Sequence, residues 1–191
     1  MANRDAPHGF RPAKGIGVTH QYMEFIVTTS NGTNMFVGDI IDFDGTSVTP
    51  AAADAGVSVI GVCTELKDTN GVSIGHPNSA VSTKYLPAST AGQVIVALAI
   101  PGAVFVCQSD SDGSSDPAAT DVGATADHVA GTGDTTTSTS RHELDASDIT
   151  TGLQLRIIGI VNDPNNAYGE HVDLYVTFNE SALSGAGGAS V

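Results

Sequence analysis

The stretch "HVDLYVTFN", residues 171–179, decides the fold class. Val172, Leu174, Val176 and Phe178 fall on one face of an extended chain, and His171, Asp173, Tyr175 and Thr177 on the other. Strict alternation with a period of two is the pattern of a half-buried β-strand. Working outward, "LQLRIIGIV" (153–161) and "QVIVALAI" (93–100) are apolar on both faces and read as central strands. Further strands are expected at 21–29, 40–43, 58–66, 84–88 and 103–108. Turn pairs punctuate them: Asn31-Gly32, Asp44-Gly45, Asn70-Gly71, Pro101-Gly102 and Asp112-Gly113. No long window repeats apolar residues at helical spacing, and the best helical candidate is the short piece 146–150. The expected fold is all-β: an antiparallel β-barrel or jelly-roll-like body.

Several segments stand apart from that body. Residues 36–63, "FVGDIIDFDGTSVTPAAADAGVSVIGVC", read as a small β-module closing one end of the barrel. Residues 109–140 are polar, small and acidic, and read as a long loop excursion. The tail, 184–191, reads as a flexible end without core residues. The body itself is expected to run from 16 to 183.

At 191 residues the chain is long enough to bury roughly 70% of its unfolded surface without disulfides or metals. Its charge is −14, which disfavours nucleic acid and anionic membranes as partners. The distribution is uneven. Residues 1–14 carry Arg4, Arg11 and Lys14 against Asp5 alone, and the remaining 177 carry four basic side chains against twenty acids. Cys63 and Cys107 lie in apolar runs and read as small buried hydrophobes. With no apolar leader at the start and no apolar run near ~18 residues, the chain is expected to be made in, and to stay soluble in, a cytoplasm.

Catalytic constellations are missing. There is no G-x-S-x-G, Walker loop, H-E-x-x-H or C-x-x-C, and the six histidines are scattered. The chain reads as a non-enzyme without cofactors. "GTGDTTTS" (131–138) has glycines but neither a lysine nor a following helix, so it is not a phosphate cradle. Asp110, Asp112 and Asp116 around Gly113 read as a solvated hairpin tip, and as a weak calcium site if any metal binds there. The sequons at Asn31 and Asn179 read as chance matches. Arg156, a charge inside an apolar run, is expected at a sheet edge or subunit contact and would need a carboxylate partner if buried.

The most informative feature is the start, "MANRDAPHGFRPAKG", residues 1–15. Pro7 and Pro12 exclude a helix and hold their predecessors extended. The reading is an extended N-terminal arm, on the order of 45–50 Å at full stretch. It would lie over a partner, with Arg4, Arg11 and Lys14 as charge and Phe10 dropped into a partner pocket; the alternative is a frayed terminus.

The opening "MANRDAPHGFRP", the block "MFVGDIIDFDG…VIGVC" and the closing "LQLRIIGIVNDPNNAYGEHVDLYVTFNES" together resemble, in order, the capsid decoration (cement) proteins of tailed bacteriophages. The resemblance covers about two-thirds of the chain and omits 109–140. It implies a structural protein that binds the major capsid protein lattice and stabilises the expanded head. It further implies a homotrimer at local threefold axes on the outer surface of the virion capsid, made in the host cytoplasm. Onto this sequence it carries only the arm, with Arg4, Phe10, Arg11 and Lys14 as capsid contacts. The alternative reading is a phage tail or surface receptor- or carbohydrate-binding module, against which stands the absence of Trp.

Overall fold

A computed structural model describes residues 3–53, 59–110 and 115–183. Among them the chain forms β1 (Arg11–Gly17), β2 (Tyr22–Val27), β3 (Ile40–Asp44), β4 (Ser47–Pro50), β5 (Val59–Lys67) and β6 (Gly92–Leu98). It continues with β7 (Ala103–Gln108), β8 (Thr125–Asp134), β9 (Thr139–Thr150), β10 (Leu155–Ile160) and β11 (Asp173–Phe178). One short 3-10 turn, Ala119–Asp121, precedes β8. The strands make two antiparallel sheets, one of six in the order β1-β7-β11-β10-β8-β9 and one of five in the order β2-β6-β5-β3-β4. The all-β expectation holds. The body is an open two-sheet sandwich, compatible with a jelly-roll-like description, and neither sheet closes into a barrel.

The alternation in 171–179 is realised as expected. Val172, Leu174, Val176 and Phe178 are buried, while Asp173, Tyr175 and Thr177 are half-buried. Each buried side chain of that size stabilises by about 1.5–3 kcal/mol. β11 sits between β7 and β10, with Leu174 opposite both Cys107 and Ile160.

There are two cores. The first lies between the sheets, where Phe105, Leu155, Ile157, Leu174 and Val176 meet Ile40, Val59, Val62, Ala97 and Ala99. The second lies on the other face of the five-stranded sheet, among Ile41, Ile60, Cys63, Val94, Val96 and Leu98, capped by Met35 and Leu86. Neighbours in sequence point opposite ways: Ile40 into one core and Ile41 into the other, Ala97 into one and Val96 into the other. The five-stranded sheet is thus a wall shared by both, which is why β5 and β6 are apolar on both faces. Its outer strands curl toward each other. Thr28 N donates to Ser47 Oγ at 3.0 Å, and Ser47 Oγ donates to Ile26 O at 3.3 Å.

Four local expectations require correction. Residues 109–140 are not one loop, because they contain β8, which pairs with β9. The helical candidate 146–150 is instead the end of β9. Residues 84–88 form no strand; Leu86 makes a single bridge with Met35 (Met35 N to Leu86 O 2.8 Å, Leu86 N to Met35 O 3.0 Å). The 36–63 segment is not a separate module closing a barrel. It supplies β3, β4 and part of β5 to the five-stranded sheet, with Asp44 opposite Ser47 across the Gly45 turn. Residues 54–58, 111–114 and the tail 184–191 lie outside the described residues.

Candidate partner-binding surface

The N-terminal segment is extended, as Pro7 and Pro12 require, but it lies along its own subunit. Asn3 Nδ2 donates to Ala167 O and Glu170 O, both at 2.7 Å, and Ala167 N donates back to Asn3 Oδ1 at 3.0 Å. Ala6 N donates to Gln108 Oε1 (2.9 Å), and Gln108 Nε2 donates to Arg4 O (3.1 Å). Phe10 N donates to Gly38 O at 2.8 Å. At that crossing Gly9 has φ +68° and Gly38 has φ +99°, conformations that favour glycine. A Cβ on Gly9 would meet Ser140 Cβ at 2.6 Å and Gly38 O at 2.7 Å.

Phe10 therefore does not reach a partner pocket. It is 1% exposed and belongs to the core between the sheets, 6.4 Å from Phe178 ring to ring. An apolar side chain on a chain segment already tied down by backbone bonds finds its own core first. The other three assigned residues are different: Arg4, Arg11 and Lys14 are all exposed. Arg11 Nη2 lies 3.0 Å from His8 Nε2, which is itself 3.3 Å from Asp173 Oδ1. Among the described residues none of the three cations pairs directly with a carboxylate.

After Phe10 the chain becomes β1, the outermost strand of the six-stranded sheet. Pro12 is tolerated there because an edge strand leaves one side unpaired. β1 aligns with β7 at Arg11–Val106 and Pro12–Phe105, and again only at Gly17–Ala103. Residues 13–16 bulge opposite Val104. An open groove of about 940 Å³ follows the bulge, lined by Arg11, Lys14, Ile16, Val18, His20 and Tyr22 among others. Ile16, Val18 and Tyr22 are 38%, 44% and 57% exposed. His20 holds the turn, with Nε2 3.3 Å from Ala13 O and its ring edge-on to Phe105 at 5.0 Å. β2 follows as the outermost strand of the other sheet, with Met23 and Ile26 also exposed. The groove's apolar residues were not assigned from sequence. In "GIGVTHQYM" (15–23) Ile16, Val18, Tyr22 and Met23 are interrupted by glycines and by Thr19, His20 and Gln21, so neither an apolar run nor a sustained alternation marks them.

The remaining assigned positions lie elsewhere. Asp110 Oδ1 accepts Ala146 N at 2.7 Å, tying β9 to the end of β7. Asp112 lies outside the described residues, and no cluster of three metal-ligating side chains occurs among those described. Arg156 is exposed and inside the sheet rather than at its edge, and it donates to Gly123 O (2.8 Å) and Asn179 Oδ1 (3.0 Å) rather than to a carboxylate. Cys63 and Cys107 are buried free thiols in different cores, and burial pushes both well above the usual thiol range.

A polar cluster that sequence reading did not find lies between β3 and the β8–β9 hairpin. His128 and His142 stack at 5.3 Å, and His142 Nε2 lies 3.7 Å from Asp39 Oδ1. His142 Nδ1 accepts Ile40 N (3.3 Å), Asp39 Oδ2 accepts Phe36 N (2.7 Å), and His128 bonds to Gln154 Oε1. Burial pushes Asp39 up to about 7 and holds His142 down to about 3, with His128 adding to the second effect. Both shifts favour neutral forms. All three groups are 4% exposed or less, so the cluster organises the sheet joint and offers no substrate access.

No family model, curated protein or solved structure matches the chain.

Proposed function

We propose that the chain is a capsid decoration (cement) protein that binds the major capsid protein lattice of a tailed phage and stabilises the expanded head. The carrying observation is the placement of Arg4, Arg11 and Lys14. Three of the seven basic side chains stand exposed along one anchored edge of a protein with charge −14. The ordered motif resemblance points the same way. With Phe10 in its own core, the apolar part of the contact falls to Ile16, Val18 and Tyr22 beside Arg11 and Lys14.

Exposed ion pairs contribute at most about 1 kcal/mol each. One such surface binds weakly. Three on a homotrimer, the state this reading assigns, act together and raise apparent affinity by roughly 10²–10⁴. Repetition around a shell would then resist internal pressure through many modest contacts. The acidic remainder faces outward and repels free nucleic acid.

The test is co-sedimentation with expanded heads stripped of decoration. Charge reversal at Arg4, Arg11 and Lys14 together is expected to lower occupancy at least about tenfold at low salt, with an unchanged circular dichroism spectrum. Wild-type protein that does not sediment with any such head would refute the role. Specific hits on a glycan array would support instead a receptor- or carbohydrate-binding module, a reading favoured by Tyr22 and Tyr175 in the groove.

A further inference from the structure

We propose that the groove beside β1 receives an extended acidic segment of the partner protein, with carboxylates on Arg11 and Lys14 and apolar side chains against Ile16, Val18 and Tyr22. The inference rests on the docking role proposed above and names the chemistry of what docks.

The backbone supplies the first reason. β1 is the outermost strand of the six-stranded sheet, whereas the outer edge of β2, which follows it in the chain, is turned toward β4 and accepts a bond from Ser47. An outermost strand carries a row of unpaired amide and carbonyl groups, which templates the addition of one more strand. Across 13–16 the chain also leaves its ladder with β7, and the groove opens at that place.

Side chains supply the second reason. Ile16, Val18 and Tyr22 are large, apolar and well exposed, and they lie together on the groove. Lys14 and Arg11 flank them without a direct carboxylate partner among the described residues. The groove also holds Asp173, which lies 3.3 Å from His8, and His8 in turn is 3.0 Å from Arg11, so Arg11 is linked to that carboxylate through the imidazole while Lys14 is not. Two cations against one carboxylate around an apolar floor are complementary to few, localised negative charges. A polyanion fits poorly, because the whole-molecule charge of −14 repels it at a distance. A strand that alternates apolar and acidic residues brings one or two carboxylates and its own apolar face. Arg11 and Lys14 are three residues apart, at most about 10 Å and less across a bulge, so carboxylates two positions apart on one face of an extended segment, about 7 Å, meet them. A second copy of this chain is the competing occupant.

The probe is a short fluorescein-labelled peptide alternating valine and glutamate, with its valine–lysine counterpart as control, titrated with the full chain by fluorescence anisotropy. Saturable binding of the glutamate peptide alone is expected. It should weaken at least about tenfold with Arg11→Glu plus Lys14→Glu, with Ile16→Asp, and on raising salt from roughly 50 to 500 mM. Tyr22→Asp serves as the second apolar variant if Ile16→Asp fails to fold. Equal binding of both peptides, no binding of either, or binding undiminished in the variants overturns the proposal. Light scattering at the same concentrations settles the competitor: an oligomer that Ile16→Asp dissociates, and that the peptide does not compete with, assigns the groove to a second copy and also overturns it. Co-sedimentation with heads separates the two readings. Wild type that binds heads but not the peptide loses only the acidic-segment assignment, whereas wild type that binds no heads loses the docking role.

Discussion

Replacing Phe10 by alanine removes a ring from the core between the sheets. The expected cost is about 3–5 kcal/mol, a fall in melting temperature of roughly 6–20 °C for a chain of this size. A Phe10 that served only a partner would leave the melting temperature unchanged, so a thermal scan distinguishes the two. Glu143 gives a test in pH. Burial, with Asp110 and Asp5 nearby, raises its carboxyl from 4.5 to about 7. The folded protein holds that proton more tightly than the unfolded chain, so stability is lost as pH rises from about 4.5 through 7. Glu143→Gln removes the loss. Its urea midpoint should gain on wild type across that window and hold a constant difference above it. Residue identity told part of this in advance. The cysteines are buried as their apolar flanks imply. The destination of Phe10 was not legible, because its pocket is built by Phe178 and Phe105, more than ninety positions away.

Strands whose burial comes from large apolar side chains announce themselves, and β11, β6 and β5 were readable for that reason. β8 was not. Its sequence, "TADHVAGTGD", buries Thr125, Asp127 and His128, polar groups made tolerable only by partners such as Gln154 and Thr150 that the fold brings to them. β1 was hidden by Pro12 and Gly15, residues that signal a free arm unless the strand is an edge. The anchoring of the segment before β1 turns on the Gly9–Gly38 crossing. Gly9→Ala puts a methyl against Ser140 and the Gly38 carbonyl and strains a positive φ, at a cost of about 1–3 kcal/mol. Limited trypsin digestion should then cut after Arg4 and Lys14 faster than in wild type. Equal cutting rates would mean that the crossing does not hold the segment.

At the scale of the whole molecule, the basic edge and the acidic remainder were legible as a charge pattern, while the side chains that join the basic edge needed the fold. Ile16, Val18 and Tyr22 count as a surface only once β1 and β2 are known to end their sheets. The shared wall also fixes how the molecule melts. With β5 and β6 lining both cores, neither core survives the loss of the other, so urea unfolding should be a single transition. Reactivity of Cys63, in one core, and Cys107, in the other, toward a thiol reagent should appear at the same midpoint; a thiol exposed well before the other would show two units. For deletion of residues 2–15 the same packing predicts a destabilised body, since the cut removes Phe10 and most of β1.

The wall bears on inheritance as well. A side chain in β5 or β6 has neighbours in two separate interiors through the residues beside it, so an altered shape there must suit both at once. Sequence drift and insertion are tolerated first at the rims, in the β8–β9 hairpin and the connections, and last at the middle. Descendants of this chain would come to differ in outline while keeping the same central strands.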